Sequence, residues 1–185
     1  MIGCTQRSDA ERVYRVSCQR CEKYGLKLHP EKTRLRPLAR PETVGPDGEG
    51  AAEPDPFDFL GFTHYWGKSW KGHWVIKRKT LAQRLGRTLK AIAHWCRINR
   101  HRGMFDQFRE LVRKLEGHYA YYGITGNGSS LNQARTEAVK LWYKWLRRRS
   151  RAPDGLTWER MNRLLKETFV FPYARVVHSI YNAKP

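Results

Sequence analysis

Acidic residues are scarce after the first third of the sequence, and this shortage sets the first constraint on function. Residues 61–185 contain 26 Lys and Arg but only 7 Asp and Glu. Residues 1–60 contain 10 of each kind, so the whole net charge of +19 lies in the later part. A solvated surface normally carries balanced charges, whereas such an excess is typical of proteins that bind a polyanion. The sequence predicts a nucleic-acid partner, with an acidic membrane surface as the alternative.

Cysteine is also scarce, and long apolar runs are missing. The four cysteines are too few and too scattered for a disulfide framework. Cys18 and Cys21 have the spacing of half a zinc site, but no second pair supplies the remaining ligands, so no metal is predicted. No segment approaches the roughly 18 apolar residues that span a bilayer, and the N-terminus has no signal-peptide core. We expect a cytoplasmic protein without a membrane partner.

Catalytic motifs are missing as well. The sequence has no Gly-x-Ser-x-Gly elbow, and its Gly126–Gly128 stretch lacks the Lys-Ser/Thr ending of a phosphate loop. Phosphoryl transfer with two metal ions needs carboxylates that converge on Mg²⁺. The acidic residues beyond position 61 are instead scattered singly among cations. The sequence therefore predicts a binding protein that catalyses nothing on its own and holds no cofactor.

The first 56 residues predict one helix, an extended run and a loop. Asp9 is a candidate N-cap for a helix that ends at Gly25. The next run is strand-like, with apolar residues at Leu26, Leu28 and Leu35. Residues 40–56 are rich in Pro, Gly and Glu, a composition typical of a solvated loop. The aromatic run at 57–62 then favours a strand, and residues 64–76 predict a β-hairpin around a Gly, Lys and Ser turn.

Later apolar residues recur at helical spacing. Thr80 is a candidate cap for a helix with the stripe Leu81, Leu85, Leu89, Ile92 and Cys96. A second helix starts near Met104, and Gly123 lies just past its end, where we expect a left-handed residue. Its stripe is Phe105, Phe108, Val112, Leu115 and Tyr122. A third helix from about Ser130 has the stripe Leu131, Ala134, Ala138, Leu141 and Trp145. A short fourth helix starts at Thr157.

These elements predict an α+β fold that is mainly α: a helix and strands, a β-hairpin, a basic three-helix bundle and a short C-terminal helix. The expected domains are residues 1–76, 77–150 and 151–185. Cations off the apolar stripes are candidates for phosphate contacts: Arg84, Arg87, Lys90, Lys144, Arg147, Arg148 and Arg149. Four aromatic residues are candidates for stacking on unpaired bases, although most aromatics at helical spacing are core: Trp70, Trp74, Tyr121 and Tyr143.

Three stretches, in this order, resemble the reverse transcriptase/maturase proteins encoded by bacterial group II introns. YGLKLHPEKTRLRPL at 24–38 is similar to the palm segment that follows the catalytic aspartate hairpin. FDFLGFTHYWGKS at 57–69 is similar to the last palm block, near the primer strand. Residues 77–150, with LEGHYAYYGITGN at 115–127, resemble the thumb, or maturase-specific, domain. The resemblance covers nearly the whole chain and implies a residual palm followed by a thumb.

The resemblance implies binding rather than catalysis. No position here matches the family's Tyr-x-Asp-Asp motif, so no catalytic residue is carried over, and Mg²⁺ is expected only for the full-length polymerase. Lys32 and Thr33 match the palm turn near nucleic acid, and Leu60 and Gly61 match the primer-side block. The thumb opens with Lys77, Arg78 and Lys79. The implied partners are group II intron RNA and, in the full-length enzyme, an RNA/DNA template–primer duplex, in the bacterial cytoplasm.

Three functional hypotheses remain open at this point. The chain is an RNA-binding part of a maturase that assists intron folding and splicing. Alternatively, it belongs to a split or truncated RNA-directed DNA polymerase that needs a separate palm. The third hypothesis is an inactive remnant, whose first 60 residues would be poorly ordered alone because an orphan sheet edge lacks partners. The sequence does not predict the oligomeric state.

Overall fold

The computed structural model describes residues 2–30, 33–36, 41, 55–149 and 155–179. The chain divides into two compact units, Met1–Pro54 and Asp55–Pro185. The described residues form five helices and one three-stranded antiparallel sheet, so the predicted α+β, mainly α class is confirmed. Lys32 and nearly all of the predicted loop at 40–56 lie outside the described residues.

The first unit contains helix α1, Arg7–Lys23. The prediction that Asp9 caps this helix is wrong, because Gln6 is the N-cap residue and Asp9 lies in the first turn. A carboxylate there still interacts favourably with the helix dipole. The predicted end at Gly25 is close to the observed one: the Leu26 N–H donates to the Cys21 carbonyl at 2.9 Å. The strand-like run is wrong for the residues described, since 26–30 and 33–36 form no strand; an extended chain needs a neighbouring strand to satisfy its backbone.

The second unit begins with the sheet, whose strands are β1 (Phe57–Phe59), β2 (Phe62–Lys68) and β3 (Trp74–Thr80), in that order. The predicted β-hairpin at 64–76 is confirmed and is longer than expected, since Phe62 pairs with Thr80. Only Leu60 and Gly61 connect β1 to β2, with φ values of 49° and 81°. Two-residue hairpin turns of this type need positive φ at both positions, which strains a leucine.

Three helices follow and share one core: α2 (Ala82–Ile98), α3 (Met104–Tyr122) and α4 (Gly128–Arg147). Both α2 and α3 pack on α4, so the predicted three-helix bundle is confirmed. Thr80 does not cap α2, because it is the last residue of β3 and Leu81 precedes the helix. Thr80 is instead buried against Asn127, whose amide accepts from the Thr80 N–H and donates to its hydroxyl, both at 2.8 Å. This pair fastens the end of the sheet to the start of α4.

The predicted apolar stripes are right for α2 and shifted for the other two helices. Leu85, Ile92 and Cys96 are buried as expected. On α3 the buried residues are Gln107, Leu111, Leu115, His118 and Tyr119. On α4 they are Leu131, Ala134, Ala138, Trp142 and Leu146, so Trp142 and Leu146 replace the predicted Leu141 and Trp145. The α4 stripe continues at steps of four, and Trp142 on it donates its indole N–H to the buried Gln107 side chain at 3.0 Å.

Residues after the bundle complete its core. Helix α5, Trp158–Glu167, begins at Thr157 as predicted, and the Thr157 hydroxyl accepts from the Arg160 N–H at 3.3 Å. Met161, Phe169 and Phe171 are buried in the same cluster as Trp142. The rings of Phe169 and Phe171 meet Trp142 edge-on, with centroids 5.4 and 5.6 Å away. These three side chains of the C-terminal segment therefore complete the core of the bundle.

Gly123 ends α3 for a different reason from the one predicted. Its φ is −75°, so the expected left-handed conformation is wrong. A Cβ at this position would lie 2.3 Å from the Tyr119 carbonyl oxygen and 2.8 Å from that of Arg175. The Gly123 carbonyl accepts from the N–H groups of Val177 and His178 at 2.6 and 2.9 Å. Glycine is required here because the C-terminal segment crosses α3 at backbone contact distance.

Candidate nucleic-acid interface

Three predicted cations form a continuous ridge on α2. Arg84, Arg87 and Lys90 follow one another at i, i+3 spacing and are all exposed, while the opposite side of the helix is buried. Neighbouring like charges at this spacing destabilise a helix by about 0.2–0.5 kcal/mol per pair. No Asp or Glu lies in α2. Within the described residues, none of the three cations forms a salt bridge. We call these three residues the α2 ridge.

The α2 ridge lies within a long stretch without acidic residues. Residues 59–105 contain 11 Lys and Arg and no Asp or Glu. This stretch includes β2, β3, all of α2 and the loop to α3. The two nearest carboxylates in sequence are engaged locally: Asp58 accepts from the Thr63 hydroxyl, and Asp106 pairs with Arg109. The stretch therefore contains no carboxylate that could neutralise its positive charge.

The Leu60–Gly61 turn adjoins the first cation of the ridge. A Cβ at Gly61 would lie 3.4 Å from the Tyr122 hydroxyl and 3.9 Å from Cγ of Arg84. The Tyr121 hydroxyl donates to the Leu60 carbonyl at 3.2 Å, and Leu60 itself is exposed. Burial and Tyr121 raise the pKa of Tyr122, against the opposing effect of Arg84 and Arg87. The structure therefore brings together Leu60, Gly61 and Arg84, which the sequence could only name separately.

The cations Lys77, Arg78 and Lys79 lie on two different faces of the sheet. Lys77 pairs with Tyr65 and Lys79 with Thr63, and the Lys79 ammonium lies 5.3 Å from the centre of the Tyr65 ring. Arg78 pairs with the buried His64 on the other face. There, burial and then Arg78 lower the pKa of His64. Because strand side chains alternate, only Lys77 and Lys79 can contact the same ligand from this strand.

The predicted cations at the C-terminal end of α4 adjoin a loop that the sequence analysis did not identify as part of the interface. The Arg149 guanidinium donates to the carbonyls of Arg102 and His101, at 2.8 and 3.3 Å. Arg148 lies over the Trp145 ring at 5.0 Å, and Lys144 lies 6.0 Å from the same ring. Arg147 is exposed in the last turn. Arg149 is thus a bridge between the helix end and the α2–α3 loop as well as a candidate phosphate contact.

That loop contributes Arg100 and Arg102 to the same corner of the bundle. Its backbone is held by the buried Gln107 side chain, which donates to the carbonyls of Arg100 and Arg102 at 3.2 and 2.8 Å. The run of Arg, His and Arg between two predicted helices was the signal in the sequence that this loop is cationic. Cations at helix C-termini also interact favourably with the helix dipole, which gives this corner a stabilising role of its own.

The remaining predicted residues are in different surroundings. Thr33 belongs to the first unit and is half-buried, with its N–H bonded to the His29 carbonyl at 2.9 Å. Of the four candidate stacking residues, Trp70 and Tyr121 are exposed. Trp74 is half-buried with the Lys68 ammonium 5.5 Å from its ring centre, and Tyr143 is half-buried against Trp158. Only the two exposed rings present a face that another molecule could cover.

No protein-family model, curated protein or solved structure matches this chain. In the part of the chain that the structure describes, no helix has both the length and the apolar run needed to cross a membrane. No three His, Cys, Asp or Glu side chains among those residues gather closely enough to hold a metal ion.

Proposed function

We propose that this chain binds RNA and acts as the RNA-gripping part of a group II intron reverse transcriptase/maturase, where it assists the folding and splicing of intron RNA. The observation that carries the proposal is the α2 ridge within an acid-free stretch of 47 residues, from 59 to 105. Phosphate is the natural partner of exposed cations that lack carboxylates of their own. The resemblance of residues 24–38, 57–69 and 77–150 to the maturase family gives the proposal its specific RNA.

The proposed mechanism is electrostatic positioning with recognition of RNA shape. Arg84, Arg87 and Lys90 neutralise successive phosphates and release their counterions. The Leu60–Gly61 turn lies beside Arg84, so the exposed Leu60 and the first cation of the ridge can contact the same stretch of nucleic acid. Folded RNA offers its phosphates and 2′-hydroxyl groups in a shape-dependent array, which a rigid helical bundle can match.

The same surface suits a template–primer duplex in a complete polymerase. In the family that this chain resembles, the block matched by Leu60 and Gly61 lies near the primer strand, and here that turn adjoins the α2 ridge. We propose no polymerisation by this chain alone, because none of its residues matches the family's catalytic aspartates. A split enzyme with a separate palm is the second candidate, and a bacterial cytoplasmic location is part of both.

The deciding experiment is a salt series of RNA binding. The purified chain is titrated against a group II intron RNA from the genome that encodes it and against a structured RNA of equal length. If roughly six phosphates are contacted, affinity falls about 10³-fold between about 50 and 200 mM salt. Tighter and more salt-resistant binding to the intron supports maturase-type recognition. Equal binding to both RNAs restricts the function to general RNA binding, and a flat salt response overturns the electrostatic mechanism.

A further inference from the structure

The tip of the β2–β3 hairpin exposes a tryptophan that has no structural use. Trp70 is completely exposed, at 104% of its reference area. Its ring is in no ring–ring or cation–ring contact with the described residues. The other aromatic residues of this hairpin are all at least half-buried. An indole with no contact in the chain is a large apolar surface that an external partner can cover.

The turn that presents Trp70 is built by its neighbours. The Ser69 N–H donates to the His73 carbonyl at 2.7 Å, and the Gly72 N–H donates to the Ser69 carbonyl at 3.0 Å. The Ser69 hydroxyl also accepts from the His73 N–H at 3.1 Å. All these bonds use backbone or Ser69, so the hairpin would close equally well with another side chain at position 70. A tryptophan there is explained by binding rather than by folding.

The surroundings of the tip are cationic. Lys68, Lys71 and His73 are exposed beside Trp70. No Asp or Glu lies on the hairpin after Asp58. An aromatic face flanked by cations is the arrangement that binds single-stranded nucleic acid, because the ring stacks on a base while the cations neutralise adjacent phosphates. A membrane-inserting tip would need several apolar side chains together, whereas Ser69, Lys71 and Gly72 surround this one.

We propose that Trp70 stacks on an unpaired base of the RNA and forms a second contact point, separate from the α2 ridge. The strand from Trp74 to Thr80 places the tip about 20 Å from the point where α2 begins, at about 3.3 Å per residue. The ridge grips phosphates of a structured region, and the hairpin tip selects RNA with an unpaired base nearby. This inference rests on the proposed RNA-binding function.

The test compares a blunt RNA duplex with the same duplex carrying a single-stranded pyrimidine extension. The wild-type chain binds the extended probe more tightly, and Trp70→Ala lowers that affinity by about 5-fold to 150-fold, the range for loss of one base–aromatic stack. The salt dependence stays unchanged, since stacking releases no counterions. Trp70→Phe retains most of the preference because it keeps a ring. Tyr173→Ala, which removes an exposed aromatic outside the three stretches that resemble the maturase family, behaves as wild type.

The outcomes separate this inference from the proposed function. If wild type binds neither RNA, both are overturned. If it binds both probes with steep salt dependence and Trp70→Ala leaves the preference intact, only the stacking role is overturned. Vesicles of phosphatidylserine and phosphatidylcholine serve as the third probe. Vesicle binding that Trp70→Ala abolishes, with RNA binding unchanged, would assign the tip to a membrane surface and overturn the proposal.

Discussion

Helices α2 and α3 have nearly the same length and bury one face each in the same core, but they treat their outward charges in opposite ways. On α3, Arg109 pairs with Asp106, and Arg113 and Lys114 both pair with Glu110. On α2, Arg84, Arg87 and Lys90 have no acidic neighbour on their own helix. The cations of α3 are neutralised by carboxylates of the same helix, whereas the α2 ridge has no such partner on its helix.

The difference shows which charges the fold itself explains. Exposed ion pairs such as those on α3 contribute about 0–1 kcal/mol each, which suffices to account for their placement. The α2 ridge has the reverse effect on stability, because its neighbouring like charges repel. A feature that slightly destabilises the helix and meets no need of the core is best explained by a ligand. The comparison therefore assigns a structural role to the α3 charges and a binding role to the α2 ridge.

The largest expected effect comes from removing the three cations of the α2 ridge. Arg84→Gln, Arg87→Gln and Lys90→Gln together lower RNA affinity and reduce the slope of log affinity against log salt by about 3. The matched control is Arg109→Gln, Arg113→Gln and Lys114→Gln, which removes the same net charge from α3. We expect this control to leave the slope nearly unchanged and to lower stability slightly.

Fluorescence anisotropy with a structured RNA, repeated across a salt series, measures both slopes. Equal losses from the two triple variants would mean that net charge alone drives binding, and the assignment of the interface to α2 would then be wrong. A stability loss confined to the α3 variant, measured by urea unfolding, would support the structural role of its ion pairs independently of RNA.

Features that depend on local sequence are predictable from it, whereas features that depend on distant contacts are not. The α2 ridge depends only on helical spacing and on a lack of nearby acids, so it was predictable residue by residue. The stripes of α3 and α4 are not, because an apolar periodicity does not include a polar residue such as Gln107, which is buried on α3. Its burial depends on Trp142, 35 residues away, and on the carbonyls of Arg100 and Arg102, which local periodicity does not reveal.

Two other features needed the tertiary fold. Arg149 contacts carbonyls 47 and 48 residues away, so no pattern near it indicates that it bridges to the α2–α3 loop. Phe169 and Phe171 lie in a short extended segment whose role in the core depends on where α5 directs the chain. The sequence does, however, allow the prediction that Lys77 and Lys79 lie on the face of the strand opposite to Arg78. Extending the predicted hairpin to Thr80 and applying the two-residue strand period would have placed them on opposite faces.

A buried histidine on α3 should make the stability of the bundle depend on pH. His118 is buried against Tyr122, with ring centres 4.6 Å apart, and burial lowers its pKa. In the unfolded chain His118 takes up a proton near its ordinary pKa of 6.5, whereas in the folded chain its ring stays neutral to a lower pH. The stabilising effect of the neutral ring is therefore present above about pH 6.5, and the free energy of unfolding falls as pH drops below it.

Replacing His118 by phenylalanine removes this contribution. Urea unfolding between about pH 7 and pH 5 should show a smaller loss of stability for His118→Phe than for wild type. Some pH dependence should remain, since burial and Arg78 also lower the pKa of His64. If the two proteins lose stability in parallel over this range, His118 is not the group that titrates on unfolding.

The smallest expected effect comes from adding one carboxylate to α2. This change gives α2 an ion pair within the helix, as α3 already has. Gln83 is exposed in the first turn of α2, which has no acidic residue, and it lies four residues before Arg87. Gln83→Glu adds an i, i+4 pair worth about 0.2–0.5 kcal/mol and a favourable contact with the helix dipole worth about 0.3–1 kcal/mol. The same carboxylate competes with phosphate for Arg87, so RNA binding weakens and the salt slope falls by at most about 1.

A substitution that raises stability and weakens RNA binding distinguishes the structural role of a charge from its binding role. Glu110→Gln is the counterpart on α3: it removes the partner of Arg113 and Lys114, lowers stability by a similar amount and leaves RNA affinity nearly unchanged. Urea unfolding and RNA anisotropy on both variants complete the comparison. A Gln83→Glu variant that gains stability and binds RNA as tightly as wild type would show that Arg87 does not contact phosphate. A Glu110→Gln variant that binds RNA more tightly would place α3 within the interface, because freeing its cations would then create new phosphate contacts.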